Sequence, residues 1–488
     1  MEKEYDVAVI GGGVVGCAIA REITRYDLKV VLFEKECDVA LGTSGRNSGV
    51  SHAGFYVPTG TLKAKMNIEG HEMMPALCRE LGVPRQEVGK IVVAKDESER
   101  DYLYKLKETG DKNGSDKLSI IDEKEIRRLE PNINGIEALR SPTTAILDPF
   151  LLTIALAENA LRNGARIMLN TEVKGIDQTS GGFKIETDKG PCKSNTVINS
   201  AGLYAGKIAV MAGIDGYRIH PCRGEYHILD KSRRHLINGA VYPVPPKELG
   251  GLGIHLTPTT DGNIMLGPSA EYIPGPDDTV TTADVMDKLF KESFEFLPKI
   301  SRKDIIKSFS GIRPKLITAG SKEAADFIIE ESPKVSGFIN LIGIESPGLT
   351  GAPAIAKKVA GIVKDIQGGL KQKPGFDPVE KPRIRFAELS RREKAGLIKK
   401  DPNYGVVVCR CQTVTKKEVM DALNNPLCAR SIYGISKRCR ATLGRCQGGF
   451  CIPKIVEIME ESYHPKTSDI TYSGKGSGLF TGKKEGVE

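Results

Sequence analysis

The 488 residues exceed what one simple hydrophobic core organises, so two or three domains are expected. The composition, 40% hydrophobic and 27% charged with no tryptophan, is that of a soluble globular protein; a net charge of +8 suits an anionic cofactor or substrate but does not argue for nucleic acid. The longest charge-free apolar run, residues 7–20, is too short to cross a bilayer, and the acidic start MEKEYD lacks the order of a secretory signal. A cytoplasmic protein is expected, with peripheral docking on a membrane partner left open.

In chain order, YDVAVI (residues 5–10) reads as a buried strand, followed by a glycine turn, a helix to about Tyr26, and a second buried strand ending at Glu34. Gly11, Gly13 and Gly16 fit G-x-G-x-x-G. The first allows the tight turn, the second a close approach of the backbone to a pyrophosphate, and the third the packing of helix on strand. The helix N-terminus then offers free N–H groups to phosphates, and Glu34 stands where an acid accepts bonds from ribose hydroxyls. Residues 43–49, TSGRNSG, form a small polar loop that could run beside a pyrophosphate and a flavin ring. A helix over 149–163 follows, with Asp148 and Pro149 explained by capping alone. Next come strands in ARIMLNTEV and GFKIETDKG, then TVINSAGL, a short strand running into Ala201-Gly202. The region from 215 to 310 mixes strand and turn signals. FINLIGIE is again a buried strand, turning at Ser346-Pro347-Gly348 into the helix APAIAKKVAGIVKDI.

The loop TSGRNSGVSHAGFYVPTGTLKAKM, with VINSAGL, GIRP and GIESPGLTGAPAIA, resembles the D-amino-acid-oxidase-like superfamily of FAD enzymes, over about residues 4–365. The first of these stretches resembles the branch containing L-2-hydroxyglutarate dehydrogenases. The resemblance implies an α/β fold, with a Rossmann-like FAD-binding domain and a mixed α+β substrate domain. It places FAD-binding parts at about 1–80, 145–215 and 310–370, and the substrate domain at about 81–144 and 216–309. It implies FAD contacts from Gly11, Gly13, Val14, Val15, Gly16, Glu34 and Lys35. Further contacts are expected from Thr43, Ser44, Arg46, Asn47, Ser48, Val173, Ala201, Gly202, Gly348, Leu349 and Thr350. The late helix, starting near Gly351, would point its N-terminus at the flavin and favour its anionic reduced form.

Residues 371–404 are rich in Gly, Pro, Lys and Arg and read as a linker. Of eleven cysteines, six lie between Cys409 and Cys451. That skew fits a metal module with scattered reduced thiols, not a disulfide framework. Cys409-x-Cys411 and Cys446-x4-Cys451 are two close pairs. C-x-C is tight for one zinc ion, whereas two irons sharing sulfides accommodate it. The segment over about 405–460 resembles the bacterioferritin-associated-ferredoxin-like [2Fe–2S] domain, and KRCRATLGRCQGGFC resembles the C-terminal domain of anaerobic glycerol-3-phosphate dehydrogenase A subunits. Zinc and a redox disulfide are the rivals. Cys428 and Cys439 stay unassigned, and the Gly/Ser/Lys-rich tail, residues 461–488, is expected to be mobile.

A flavin dehydrogenase needs an anchor for the substrate anion and a base for its hydroxyl proton. Arg313, in SGIRP, is the expected anchor, because a guanidinium fork suits a carboxylate or phosphate. His52 and His255 compete as the base. Arg223 and Tyr226 could line the same cavity, and Lys315 could assist with a phosphate. The expected reaction is oxidation of sn-glycerol 3-phosphate through FAD and a [2Fe–2S] cluster to a second redox subunit or quinone-linked acceptor. An L-2-hydroxy acid dehydrogenase, an amino- or imino-acid dehydrogenase and a non-catalytic electron-transfer subunit are the alternatives.

Overall fold

The computed structural model describes residues 3–245, 253–317 and 325–480. Its first layer is an eight-stranded sheet with a parallel centre. Strand Lys3–Ile10 lies between Val30–Phe33 and Cys192–Asn199, parallel to both. Val30–Phe33 pairs in parallel with Arg166–Met168, and Cys192–Asn199 with Phe338–Ile342. Covered on both faces, these strands are nearly continuous apolar runs. On one face, helices Val14–Ile23, Leu62–Glu80, Pro149–Arg162 and Gly348–Ile366 bury Ile19, Met74, Leu152 and Ile355 against the strands. The last of these helices begins at Gly348, three residues ahead of the expected start near Gly351. Pro353 therefore falls inside the helix and leaves the Leu349 carbonyl without its helical N–H partner.

The second layer is a nine-stranded, mostly antiparallel sheet. Its longest pairing joins Ile219–Leu229 to Ile305–Leu316, which places Cys222 opposite Arg313. Strand Ile305–Leu316 is continuous across the expected boundary at 309–310, so it belongs whole to this sheet while its end reaches the cofactor side. Strand Lys90–Ala94 lies between Ala240–Pro243 and Glu137–Ser141.

The C-terminal module has its own core of Val419, Ile432, Ile435, Ile455, Met459 and Ile470. Both stretches read as linker and tail are packed here as far as they are described, residues 481–488 of the tail lying outside the described residues. The stretch 371–404 is not a free linker. Phe376 packs under the guanidinium of Arg25, the Asp377 carbonyl accepts from Asn159 and Asn163, and residues Arg391–Lys400 form a capped helix. Its charges have found partners on the helices of the first layer. The tail is also ordered to the end of the described residues: Ile470 is fully buried, and the Tyr433 N–H donates to the Tyr472 carbonyl.

The module docks through buried charge. Arg438 donates two bonds to the Asp38 carboxylate, at 2.5 and 3.0 Å, and its Nε lies 3.6 Å from Glu158. Arg440 pairs with Asp148 and, at 3.2 Å, with Asp261. Asp148 therefore does more than cap: one oxygen accepts from the Leu151 N–H while the other faces the module.

Candidate functional site

A cavity of about 1010 Å3 runs from the glycine turn, beneath the 43–48 loop, to the inner face of the second sheet. At Gly11, φ is +110°, and a Cβ would meet the Ser200 carbonyl at 2.7 Å. At Gly16 a Cβ would strike the Gly11 carbonyl. Gly11, Gly13, Val14 and Val15 line the cavity, whereas Gly16 stands behind the wall and holds helix to strand. The helix presents first-turn N–H groups here, with Val14 N–H bonded to Ser44 Oγ at 2.8 Å.

Glu34 closes the far end. Its carboxylate accepts from the Gly12 and Glu36 N–H groups at 2.6 and 2.9 Å. Burial pushes its pKa upward against those two donors. Lys35 lies over the Tyr204 ring. In the loop, Thr43 Oγ1 donates to the Ile312 carbonyl, Arg46 to the Ser310 carbonyl, and Asn47 to the Ser44 carbonyl. Thr43, Ser44, Arg46, Asn47 and Ser48 all face the cavity. So do Val173, Ala201 and Gly202, and the helix start at Gly348 and Leu349. Thr350 does not: it is buried behind His52, whose N–H donates to its Oγ1 at 3.0 Å.

The other end of the cavity holds the three expected substrate groups together: His52, His255 and Arg313. Arg313 donates to the Cys222 thiol and the Ser269 carbonyl, at 3.4 and 3.0 Å, so its charge is held without a carboxylate in those contacts. Burial holds both imidazoles well below the usual histidine range, and nearby Lys90 adds to it. His255 stacks on Tyr242 with centroids 3.6 Å apart, and its Nδ1 is buried without a hydrogen-bond partner among the described residues. Tyr226 also lines this end and stacks on Phe309. Arg223 does not line the cavity: it is tied to Glu271, Asp278 and Glu225. Lys315 reaches the lining, near the Tyr272 ring.

Sequence reasoning missed two sets of residues. Lys90 is 2% exposed and lies 3.5 Å from His52 Nδ1, inside the rings of Tyr242, Phe55 and Tyr56. A lone lysine ahead of IVVA gives no signal of this. Tyr433, Tyr472 and Ser473, all from the C-terminal part, complete the wall near Arg46 and Glu36. The alternation Ile470-Thr471-Tyr472 was the available hint.

The four cysteines converge. Cys409 Sγ is 3.7 Å from Cys411 Sγ, which is 3.9 Å from Cys446 Sγ, and Cys451 touches Cys409. Two close thiol pairs brought into contact suit a bridged pair of irons. Backbone N–H groups wrap the sulfurs. Burial opposes charge on Cys446, but the N–H groups of Phe450 and Gly448 and the Cys411 thiol hold its pKa down. Cys451 is lowered chiefly by the Cys409 thiol, which is itself raised by the same contact. The wrapping needs left-handed backbone at Thr413, Thr442, Gln447 and Gly448. This donor set fits an iron–sulfur cluster. Cys439 packs against the module's core, and Cys428 is exposed.

Comparison with known proteins agrees with both halves. Residues 6–362 match the FAD dependent oxidoreductase family and residues 407–461 the BFD-like [2Fe-2S] binding domain. A glycerol 3-phosphate dehydrogenase of Caloramator mitchellensis is 40% identical over 98% of each chain. The mitochondrial L-2-hydroxyglutarate dehydrogenase of Caenorhabditis elegans is 32% identical over 73% of this chain and 92% of its own. The FAD-bound L-alpha-glycerophosphate oxidase of Mycoplasma pneumoniae superposes with a TM-score of 0.73 at 32% identity, covering 78% of this chain and all of its own. The glycine turn, the braced loop and the converging thiols thus have one explanation: the chain belongs to the FAD-dependent oxidoreductase family and carries a C-terminal BFD-like [2Fe–2S]-binding domain.

Proposed function

We propose that the protein oxidises sn-glycerol 3-phosphate to dihydroxyacetone phosphate and delivers the electrons through the cysteine module to a protein or quinone-linked acceptor. The observation that carries this reading is Arg313, a buried guanidinium whose own bonds go to a thiol and a carbonyl, facing the cavity beside two histidines that burial keeps neutral. Arg313 would bind the phosphate as a fork and fix the orientation of the secondary carbinol. A neutral imidazole, His52 or His255, accepts the hydroxyl proton. Bound FAD supplies the hydride acceptor. Gly11, Val14, Ser44 and Glu34 would hold its dinucleotide, and Cys409, Cys411, Cys446 and Cys451 would hold the cluster. The full-length similarity to a glycerol 3-phosphate dehydrogenase, which spans the module as well, supports phosphate over carboxylate.

The test is anaerobic titration of the purified protein with sn-glycerol 3-phosphate and then L-2-hydroxyglutarate, following flavin absorbance. Stoichiometric bleaching by the first is expected. Bleaching by the second alone would transfer the protein to the hydroxy-acid reading, which the similarity to L-2-hydroxyglutarate dehydrogenases favours. Replacing Arg313 by Met should raise KM on the order of 10²-fold, the loss of a charge-assisted fork. An unchanged KM would remove Arg313 as the anchor.

A further inference from the structure

We infer that Lys90 is a second proton acceptor, placed behind His52 to receive the proton that the substrate hydroxyl gives up. The inference rests on the proposed reading of His52 as the base. It starts from a juxtaposition. Lys90 Nζ lies 3.5 Å from His52 Nδ1 and is 4.1, 4.7 and 5.4 Å from the ring centroids of Tyr242, Phe55 and Tyr56. His52 itself lines the cavity, whereas Lys90 does not.

The amine is fixed by its strand, whose neighbours pair with it on both edges. The titratable groups that face it are His52 on the loop, His255 and Tyr242 on the second sheet, and Tyr56. No carboxylate among the described residues bonds to it. A buried ammonium without an anion is costly, and burial brings the Lys90 pKa down to about 7. Near neutrality the amine therefore has an available lone pair.

A neutral amine beside Nδ1 accepts the Nδ1–H bond, which leaves the Nε2 lone pair for the substrate. The substrate O–H bond then breaks as Nε2–H forms. Nδ1–H breaks as a new Nζ–H bond forms, and the imidazole is neutral again in its other tautomer. The electron pair of the substrate C–H bond leaves as hydride to the bound FAD. The proton ends as an ammonium among three aromatic rings, whose faces offset part of the cost of burying it. Without Lys90, the proton would remain as an imidazolium in a site that disfavours it.

The experiment pairs K90M and K90R with H52N and follows anaerobic flavin bleaching by sn-glycerol 3-phosphate across pH 5.5–9. Expected is a loss of roughly 10²-fold in bleaching rate for K90M, with substrate affinity and FAD content retained. The wild-type acid limb near pH 7 should disappear. K90R should not restore the rate, since a guanidinium cannot accept the proton. Restoration by K90R would overturn the inference in favour of a fixed positive charge. If H52N keeps the wild-type rate, the base reading itself fails; if H52N is slow and K90M is not, only Lys90 is removed. A readout without turnover is the 15N histidine spectrum of the wild-type protein. Protonated Nδ1 and bare Nε2 at His52 above pH 7 are expected, and the opposite tautomer overturns the relay even if K90M does not fold.

Discussion

The cofactor cavity and the cysteine module both surround an electron-rich group with backbone N–H donors, but they hold those donors differently. In the cavity the donors come from a helix start locked by Gly16 against Gly11, over a parallel sheet packed on both faces. In the module they come from a short loop of left-handed residues over a small core, joined to the rest by buried arginines. The first arrangement is set by long-range packing. The second depends on its metal and on its docking, as small metal domains do. If this difference is right, damage to the module should spare the cavity.

The largest expected effect is therefore separable. Cys446→Ala should abolish iron binding and the cluster's electron paramagnetic signal, while flavin content and anaerobic bleaching by substrate persist. Loss of both chromophores together would mean that the two regions fold as one.

Docking comes next. Arg438→Met leaves Asp38 buried without its cation and Glu158 with Arg383 alone, an expected cost of roughly 3–5 kcal/mol. Calorimetry should show the module's transition falling towards lower temperature. Proteolysis should open the module end of the 371–404 stretch, where the Phe386 N–H donates to Glu418. A single unshifted transition would show that the buried ion pair does not hold the module.

How much of this was legible in the sequence divides the same way. The glycine turn, Glu34, the 43–48 loop and the paired cysteines were legible because their chemistry needs particular residues at local spacing. Lys90 was not. Its burial is created by strand Ala240–Pro243, far along the chain, and no local pattern reports that pairing. The 371–404 stretch read as a linker, and the tail as mobile, because their composition is polar. Their order comes from partners elsewhere, such as Asn159 for the Asp377 carbonyl. Arg223, a plausible cavity residue by position, was claimed by Glu225 on its own strand and by Glu271 and Asp278, which only the fold brings near.

The cavity's own weak point is the uncompensated Lys90, and pH sharpens it. Its pKa is about 7 in the folded protein against 10.5 ordinarily, so between those values the unfolded chain binds a proton that the folded chain lacks. Stability should therefore rise with pH across that window, by up to about 1.4 kcal/mol per unit. Subtracting the K90M melting curve from wild type isolates this slope from the tyrosines and thiols. His52 and His255, lowered by burial, extend the fall in stability below pH 6.5 in both proteins. A flat difference between pH 7 and 10 would mean that Lys90 stays charged.

The smallest effect concerns a wall that the two regions share. Tyr472 and Ser473 line the cavity, although they lie beyond both matched family segments. The glycerophosphate oxidase that superposes on 78% of this chain is covered in full by that match. The tail is expected to contribute retention and not formation. Tyr472→Ala should speed FAD release a few-fold, roughly 1 kcal/mol, read as flavin fluorescence after dilution into mild urea. Ile470 stays in place in this variant, and Tyr472 packs only at the edge of the module's core, so melting of the module is followed alongside. A tenfold or larger effect would instead make the tail part of the cofactor site proper, and the independence of the two regions would fail at that wall.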